Sequence, residues 1–290
     1  MTSELDTTPL TVAANRSEMR EFMGPRRRWN VWAGLLVLYA VATAAVAALV
    51  FAVLIVAALV VEAWGEPIRD HGVLLSVGMA ACLVAAVVGW VAHAKQGDRE
   101  ELFRLQRFAA ANGFDFAPEV KDPDLPGLIF QRGTLRRSSA RLRRFGPRPL
   151  EVANYSAWIA KGRAGESLSW SYFALTLDRP MPHVVLDAHA NGRLPGTSSL
   201  PGMSEISSGN GYRLFCALEA ADWARSLFTP ELVARFAGPG KKVVDVEVVG
   251  ERVFVYSHLR PLSGSDPEMW RWMSETADAL YDRLEDLLIT

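Results

Sequence analysis

The stretch from Val31 to Val61, VWAGLLVLYAVATAAVAALVFAVLIVAALVV, decides how this sequence is read. It holds no charged residue. As a helix at 1.5 Å per residue it reaches about 45 Å, more than the roughly 30 Å of a bilayer's hydrocarbon core. Trp29 and Trp32 stand at its start and Trp64 at its end, where indoles favour the two interfaces. A membrane span is the expectation. A secretory signal is the rival reading, because Arg26, Arg27 and Arg28 precede the run and Val61-Glu62-Ala63 loosely resembles a cleavage site. The apolar run is, however, about twice the roughly 7 to 15 residues of a signal core.

A second apolar run, from Val73 to His93, has spanning length and carries Trp90 near its end. Gly65, Pro67 and Gly72 between the runs predict a tight helical hairpin. Arg16, Arg20 and the Arg26 to Arg28 triplet precede the first span, and Lys95, Arg99, Arg104 and Arg107 follow the second. Basic residues collect on the cytoplasmic side, so both termini are expected inside, with the protein multi-pass in the cell membrane. Ala40, Ala44 and Ala48, with Gly78, Cys82, Ala85 and Gly89, would allow close helix approach. Simple abundance of alanine explains them equally well, and a homo-oligomer stays open.

The chain then divides into a disordered tail at 1–28, a transmembrane hairpin at 29–94 with spans about 31–61 and 73–93, and a cytoplasmic α+β domain at 95–290. In that domain Leu102, Leu105, Phe108 and Ala109 recur at helical spacing up to the Asn112-Gly113 stop. Strands are predicted over 128–131, 150–159, 168–177, 183–188 and 212–218, with turn-like connections that imply antiparallel pairing. Helices follow at 219–227 and from Thr229-Pro230-Glu231. Val244, Val246 and Val248 alternate with Asp245 and Glu247, which reads as a hairpin strand covered on one face. A final helix has apolar positions Trp270, Met273, Ala277, Leu280, Leu284 and Leu287 and is expected to lie on the sheet.

Several segments carry a resemblance: Pro126 to Phe130, Glu151 to Tyr155, Leu177 to Ala188, Tyr212 to Cys216, Asp222 to Leu232 and Val246 to Tyr256. Together they resemble a group of bacterial membrane proteins, of the high-GC actinobacterial kind, with two spans and a cytoplasmic α+β domain. The resemblance covers most of residues 100–260 and implies architecture only, since that group has no assigned activity.

Composition excludes little: the net charge is -1, and two cysteines, Cys82 and Cys216, make no disulfide framework. No nucleophile elbow, paired-cysteine, zinc-protease or phosphate-loop motif is present, and no cofactor is implied. Cys216 reads as a small buried hydrophobe. Asp187 and His189, two apart on a predicted strand, would share one face; they read first as polar residues on a solvated strand face, and with distant partners they are the candidate metal ligands. His183 is about 13 Å from Asp187 along such a strand, too far for the same centre. A hydrolase or metal-dependent enzyme would use Asp187 and His189 with a group such as His258 or Asp178. The other candidate is a basic run without acids, Arg132, Arg136, Arg137, Arg141, Arg143, Arg144 and Arg148, read as a loop. Near an anionic leaflet each such residue contributes about 1 kcal/mol. The alternatives are solvent, or the acidic C-terminal helix with Glu275, Asp278, Asp282, Glu285 and Asp286. Nucleic acid is disfavoured, because only Phe145 is interleaved as an aromatic. The leading expectation is a non-catalytic cytoplasmic module that binds the lipid bilayer, through anionic headgroups, or a protein partner. Transport is disfavoured, since the spans hold no internal ionisable group.

Overall fold

Aromatic residues two apart on neighbouring strands build the core. Tyr155 pairs in register with Trp170, and Tyr172 with Tyr256. The computed structural model describes residues 5–12, 17–19, 82, 86, 89, 99–161, 164–197, 200–209, 211–239, 242–258 and 266–289. Met1–Ala13 and Arg104–Thr290 form one compact unit and Ala14–Phe103 a second. The first unit carries the sheet, and the helix over 99–111 belongs to it from Arg104 on.

Its elements in chain order begin with a helical turn α1 (Thr8–Thr11) and a helix α2 over 99–111. Strands β1 (Asp115–Lys121), β2 (Thr134–Arg144), β3 (Leu150–Lys161) and β4 (Ala164–Ala188) follow, then β5 (Ser204–Gly209) and β6 (Tyr212–Cys216). Short helices α3 (Ala221–Leu227) and α4 (Pro230–Arg235) precede a two-residue pair, β7 (Ala237–Gly238) and β8 (Lys242–Val243). Strand β9 (Asp245–Ser257) and helix α5 (Pro267–Ile289) complete the chain. The main sheet is antiparallel, in the order β1-β2-β3-β4-β6-β5, with β9 also paired to β4. Strand β4 is long enough to pair with β3 in its first half and with β6 in its second, while β9 runs along both halves.

One face of the sheet carries Ala153, Tyr155, Ala157, Trp170, Tyr172, Phe254 and Tyr256, covered by Leu125, Ile129 and Phe130. Phe130 stands edge-on to Tyr155 and Tyr172, with centroids 4.8 and 4.9 Å away, a favoured aromatic geometry. The opposite face receives α5. Trp272 meets Phe173 at 6.2 Å, Trp270 meets Phe108 of α2 at 4.6 Å, and Tyr281 donates to Pro149 O. The α5 positions Trp270, Met273, Ala277, Leu280 and Leu284 are all buried.

Two expectations are corrected here. Among the described residues no helix is long and apolar enough to cross a membrane. The long helix α5 is amphipathic, with four carboxylates at Asp278, Asp282, Glu285 and Asp286 in its C-terminal half. The described chain is mostly antiparallel sheet with a few helices, so an α+β domain behind a two-span hairpin is not the fold the structure supports. The multi-pass cell-membrane location loses its support with it. The predicted spans themselves, about 31–61 and 73–93, lie outside the described residues except for Cys82, Ala86 and Gly89.

Smaller differences have local causes. Residues 128–131 form a 3-10 turn, not a strand, and Glu247 accepts a hydrogen bond from the Leu128 amide. The predicted strands at 168–177 and 183–188 are parts of one strand, with an exposed bend at Asp178, Arg179 and Pro180. Asp245 and Glu247 are fully buried because β9 is covered on both faces. Within the stretch read as a disordered tail, Leu10 is buried and Asp6 exchanges two hydrogen bonds with Asn112.

Candidate functional site

The arginine run is a strand and not a loop. Arg136, Arg137, Arg141, Arg143 and Arg144 belong to β2, between β1 and β3, and only Arg132 and Arg148 lie outside it. Ser138, Ala140 and Leu142 alternate with the arginines and are buried, which is the period-two signature of a half-covered strand. Acids from other segments meet most of the charges. Arg136 pairs with Asp122 at 3.1 Å, Arg137 with Glu119 at 3.6 Å and Arg143 with Glu151 at 3.5 Å. Arg148 is held by Asp282 at 2.6 Å, Glu285 at 2.7 Å and Asp278 at 3.9 Å. The hydrogen bonds that Arg148 donates to Glu285 raise the arginine's pKa. Arg144 lies over the Phe114 ring at 5.5 Å, and the Nε of Arg141 is buried without a hydrogen-bond partner. Among the described residues no carboxylate pairs with Arg132, which is exposed.

At the start of β2 the strand makes a register shift between Thr134 and Arg137. Leu135 sits inside that shift at φ 53°, in the left-handed region that branched residues rarely enter. The bulge turns its side chain out, 71% exposed. Thr134 pairs with Trp158 across to β3, and Trp158 is 44% exposed. Trp158 lies against Gly165 of β4 so closely that a Cβ there would come within 2.0 Å of the ring. The next register row joins Lys121, Arg137 and Ser156. This end of the sheet therefore presents a leucine and an indole beside Arg132, Lys121 and Arg137.

Asp187 and His189 do not form a site. Strand β4 ends at Ala188, and His189 opens a 3-10 turn and points to solvent. Asp187 is buried and accepts a hydrogen bond from the Leu194 amide at 2.8 Å. Its other oxygen is 2.6 Å from the Arg213 guanidinium, an ion pair whose angle is poor for a hydrogen bond. Asp245 accepts from the Ala188 amide at 2.7 Å and from Asn191 at 3.2 Å. Burial pushes the Asp245 carboxyl up to about 7, against the lowering effect of those donors, and Asp187 pushes the same way. Together the two aspartates fasten the 189–194 turn to the sheet.

His183 instead meets Glu247 at 2.9 Å, and Tyr256 donates to the same carboxylate at 2.7 Å. His258 lies by Trp170 at 4.5 Å, and Asp178 is exposed at the β4 bend. Among the described residues no group of three or more His, Cys, Asp or Glu could hold a metal ion. Cys216 is buried, and burial raises its thiol pKa, the environment of an inert thiol.

Two concavities are lined by described residues. A polar groove of about 910 Å³ runs between the β2–β3 turn and α5, lined by Arg144, Arg148 and the α5 acids. A smaller one of about 140 Å³ lies between the edge of the sheet and α3–α4, lined mainly by Leu186, Tyr212, Leu214, Phe228 and Val233.

Sequence reasoning found the arginines but missed Leu135 and Trp158. The usable signal was Gly133, whose φ of 75° brings the backbone onto the Trp158 carbonyl. No protein-family model and no curated protein matches this chain. Among solved structures, the mycobacterial trehalose monomycolate transport factor A, TtfA, is similar at 13% identity and a TM-score of 0.43. That match covers 64% of this chain and 93% of TtfA. It is too remote to carry fold or function across.

Proposed function

We propose that the sheet unit is a non-catalytic binding module that docks on an anionic membrane surface through the Leu135–Trp158 end. The observation that carries this reading is the bulge at Leu135. A strained φ of 53° holds a large apolar side chain in water, and such strain persists where the surrounding structure enforces it, commonly at functional positions. Trp158 beside it is of the type that settles at a lipid–water interface. The arginine run contributes only partly, because Arg136, Arg143 and Arg148 are engaged by acids. Arg132 and Lys121, exposed and not engaged by a carboxylate among the described residues, are the charges that face headgroups, at about 1 kcal/mol each. With Leu135 and Trp158 partly inserted, the total is roughly 4 to 5 kcal/mol, a weak and reversible contact. The buried carboxylates Asp187, Asp245 and Glu247 are engaged by partners within this chain, which disfavours the enzyme reading.

Quenching by brominated lipid tests this in the full chain. The fluorescence lost between wild type and Trp158→Ala isolates the Trp158 signal. That signal should be quenched by brominated anionic vesicles, should escape brominated zwitterionic ones, and should recover in Leu135→Ser and Arg132→Gln. A Trp158 signal untouched by brominated anionic lipid at low salt defeats the proposal.

A further inference from the structure

Two strands at the margins of the sheet, β1 and β5, are built differently. Strand β1, DFAPEVK, carries Asp115, Glu119 and Lys121 and is interrupted by Pro118, which drops out of the pairing with β2. Charges and proline are how proteins keep an edge from pairing with another chain. Strand β5, SEISSG, has a single charge, Glu205, no proline and no lysine. All its residues but Ile206 are exposed. Among the described residues, β6 is its one strand partner.

Two apolar features flank this open edge at opposite ends. Beyond the Ser204 end, where Ser204 pairs with Cys216, the chain leaves β6 and Leu218 stands 73% exposed. At the Gly209 end lies the 140 Å³ cavity, bounded by Ser207 and Gly209 of β5 and by Leu186, Tyr212, Leu214, Phe228 and Val233. A protruding leucine and an apolar hollow at the two ends of one unguarded strand make a self-complementary surface.

We infer that two copies of this chain pair antiparallel through β5, about a twofold axis perpendicular to the sheet. In a closed twofold contact, wherever one feature of a copy meets a second feature of its partner, the partner's first feature meets the copy's second in return. Here it brings the Leu218 end of each copy to the cavity end of its partner. The backbone groups along the outer side of β5 supply the directional bonds, as in strand addition. A six-residue strand and one leucine per copy bury less than the roughly 1,600 Å² of a standard stable interface, so the dimer is concentration-dependent, with a dissociation constant in the range of about 10 to 100 µM.

Sedimentation of the full chain over a concentration series is the first measurement, with cysteine cross-linking to fix the geometry in a background carrying Cys82→Ala. Cys216 is buried and is retained. A monomer–dimer equilibrium is expected, weakened at least tenfold by Leu218→Glu, an exposed change that leaves the fold intact. Ser207→Cys, close to the axis, should cross-link to its own counterpart under mild oxidation, whereas Ser204→Cys, at the strand end, should not. A monomer at all concentrations up to about 1 mM, above the range inferred from the area, overturns the proposal and leaves the edge to a foreign extended peptide. Self-association that ignores Leu218→Glu and shows no Ser207→Cys cross-link overturns it as well. Neither readout involves lipid, so this test and the vesicle test fail separately.

Discussion

The two ends of the sheet use polar and apolar chemistry in opposite senses. Where β4, β9 and β6 meet, the carboxylates Asp187, Asp245 and Glu247 are removed from water, and each is answered by amides or side chains of this same chain. Where β2, β3 and β4 project, Leu135 and Trp158 are left in water with basic residues beside them. A buried charge costs several kcal/mol unless it is fully partnered, so the first end is committed to internal structure. An exposed leucine on a strained backbone adds nothing to the fold, so the second end is available for an external contact. Conspicuous residues such as Asp187 thus turn out structural, and an inconspicuous leucine becomes the functional candidate.

That contrast can be broken most decisively at Glu247. Glu247→Ala removes the acceptor shared by Tyr256, His183 and the Leu128 amide. The unit should lose about 3 to 5 kcal/mol, read by denaturant unfolding. A loss below about 1 kcal/mol would mean that these groups find water, and the committed end would be no more structural than the other.

A medium effect belongs to Asp245. Its carboxyl is raised to about 7 in the folded state from an ordinary 3.8. A raised folded pKa favours the folded state below the unfolded value, and that contribution disappears as pH climbs through the folded one. Stability should therefore fall between about pH 4 and 7, by no more than about 1.4 kcal/mol per pH unit from this group. Thermal melts of Asp245→Asn should be flatter over the same window. Equal slopes in the two proteins would remove Asp245 as the cause.

The smallest change is expected at the other end. Leu135→Ser should shift unfolding by less than about 0.5 kcal/mol, as surface substitutions do. Destabilisation above about 1 kcal/mol would show that the leucine packs after all, and the two ends would cease to differ in kind.

Much of the element pattern was legible. The spacing of Trp270, Met273, Ala277, Leu280 and Leu284 marked the buried stripe of α5, and Thr229 does cap α4, accepting from the Leu232 amide at 3.3 Å. The β2 strand was hidden because its inward residues are Ser138, Ala140 and Leu142, two of them too small and polar or neutral to register as a hydrophobic alternation. The burial of Asp245 and Glu247 was illegible for a related reason. Period-two alternation of Val with acid reads as one covered face, and it takes the Leu128 amide, His183 and Tyr256 at Glu247, and the Ala188 amide and Asn191 at Asp245, to make the second face tolerable for carboxylates. Of the candidate site, the bases were visible, and so was the acidic α5 helix as an alternative partner, which Arg148 takes up; Glu119, Asp122 and Glu151 were not, since they come from separate segments. Asp187 and His189 parted because the strand ended one residue too early for both to share a face.

The double duty of β4 has a consequence for how the chain assembles. Its residue Leu175 pairs on one side with Leu150, from the preceding hairpin, and on the other with Val253. The hairpin can close as soon as both of its strands exist, but the second partner is made only after most of the remaining chain has been synthesised. During that interval one long border of the central strand waits unsatisfied, and non-local pairings of this kind are the slow step of β-rich folding. The last strand is therefore the lock of the whole sheet, and a nascent chain stalled before Asp245 should hold the aromatic side of β4 open to whatever is nearest.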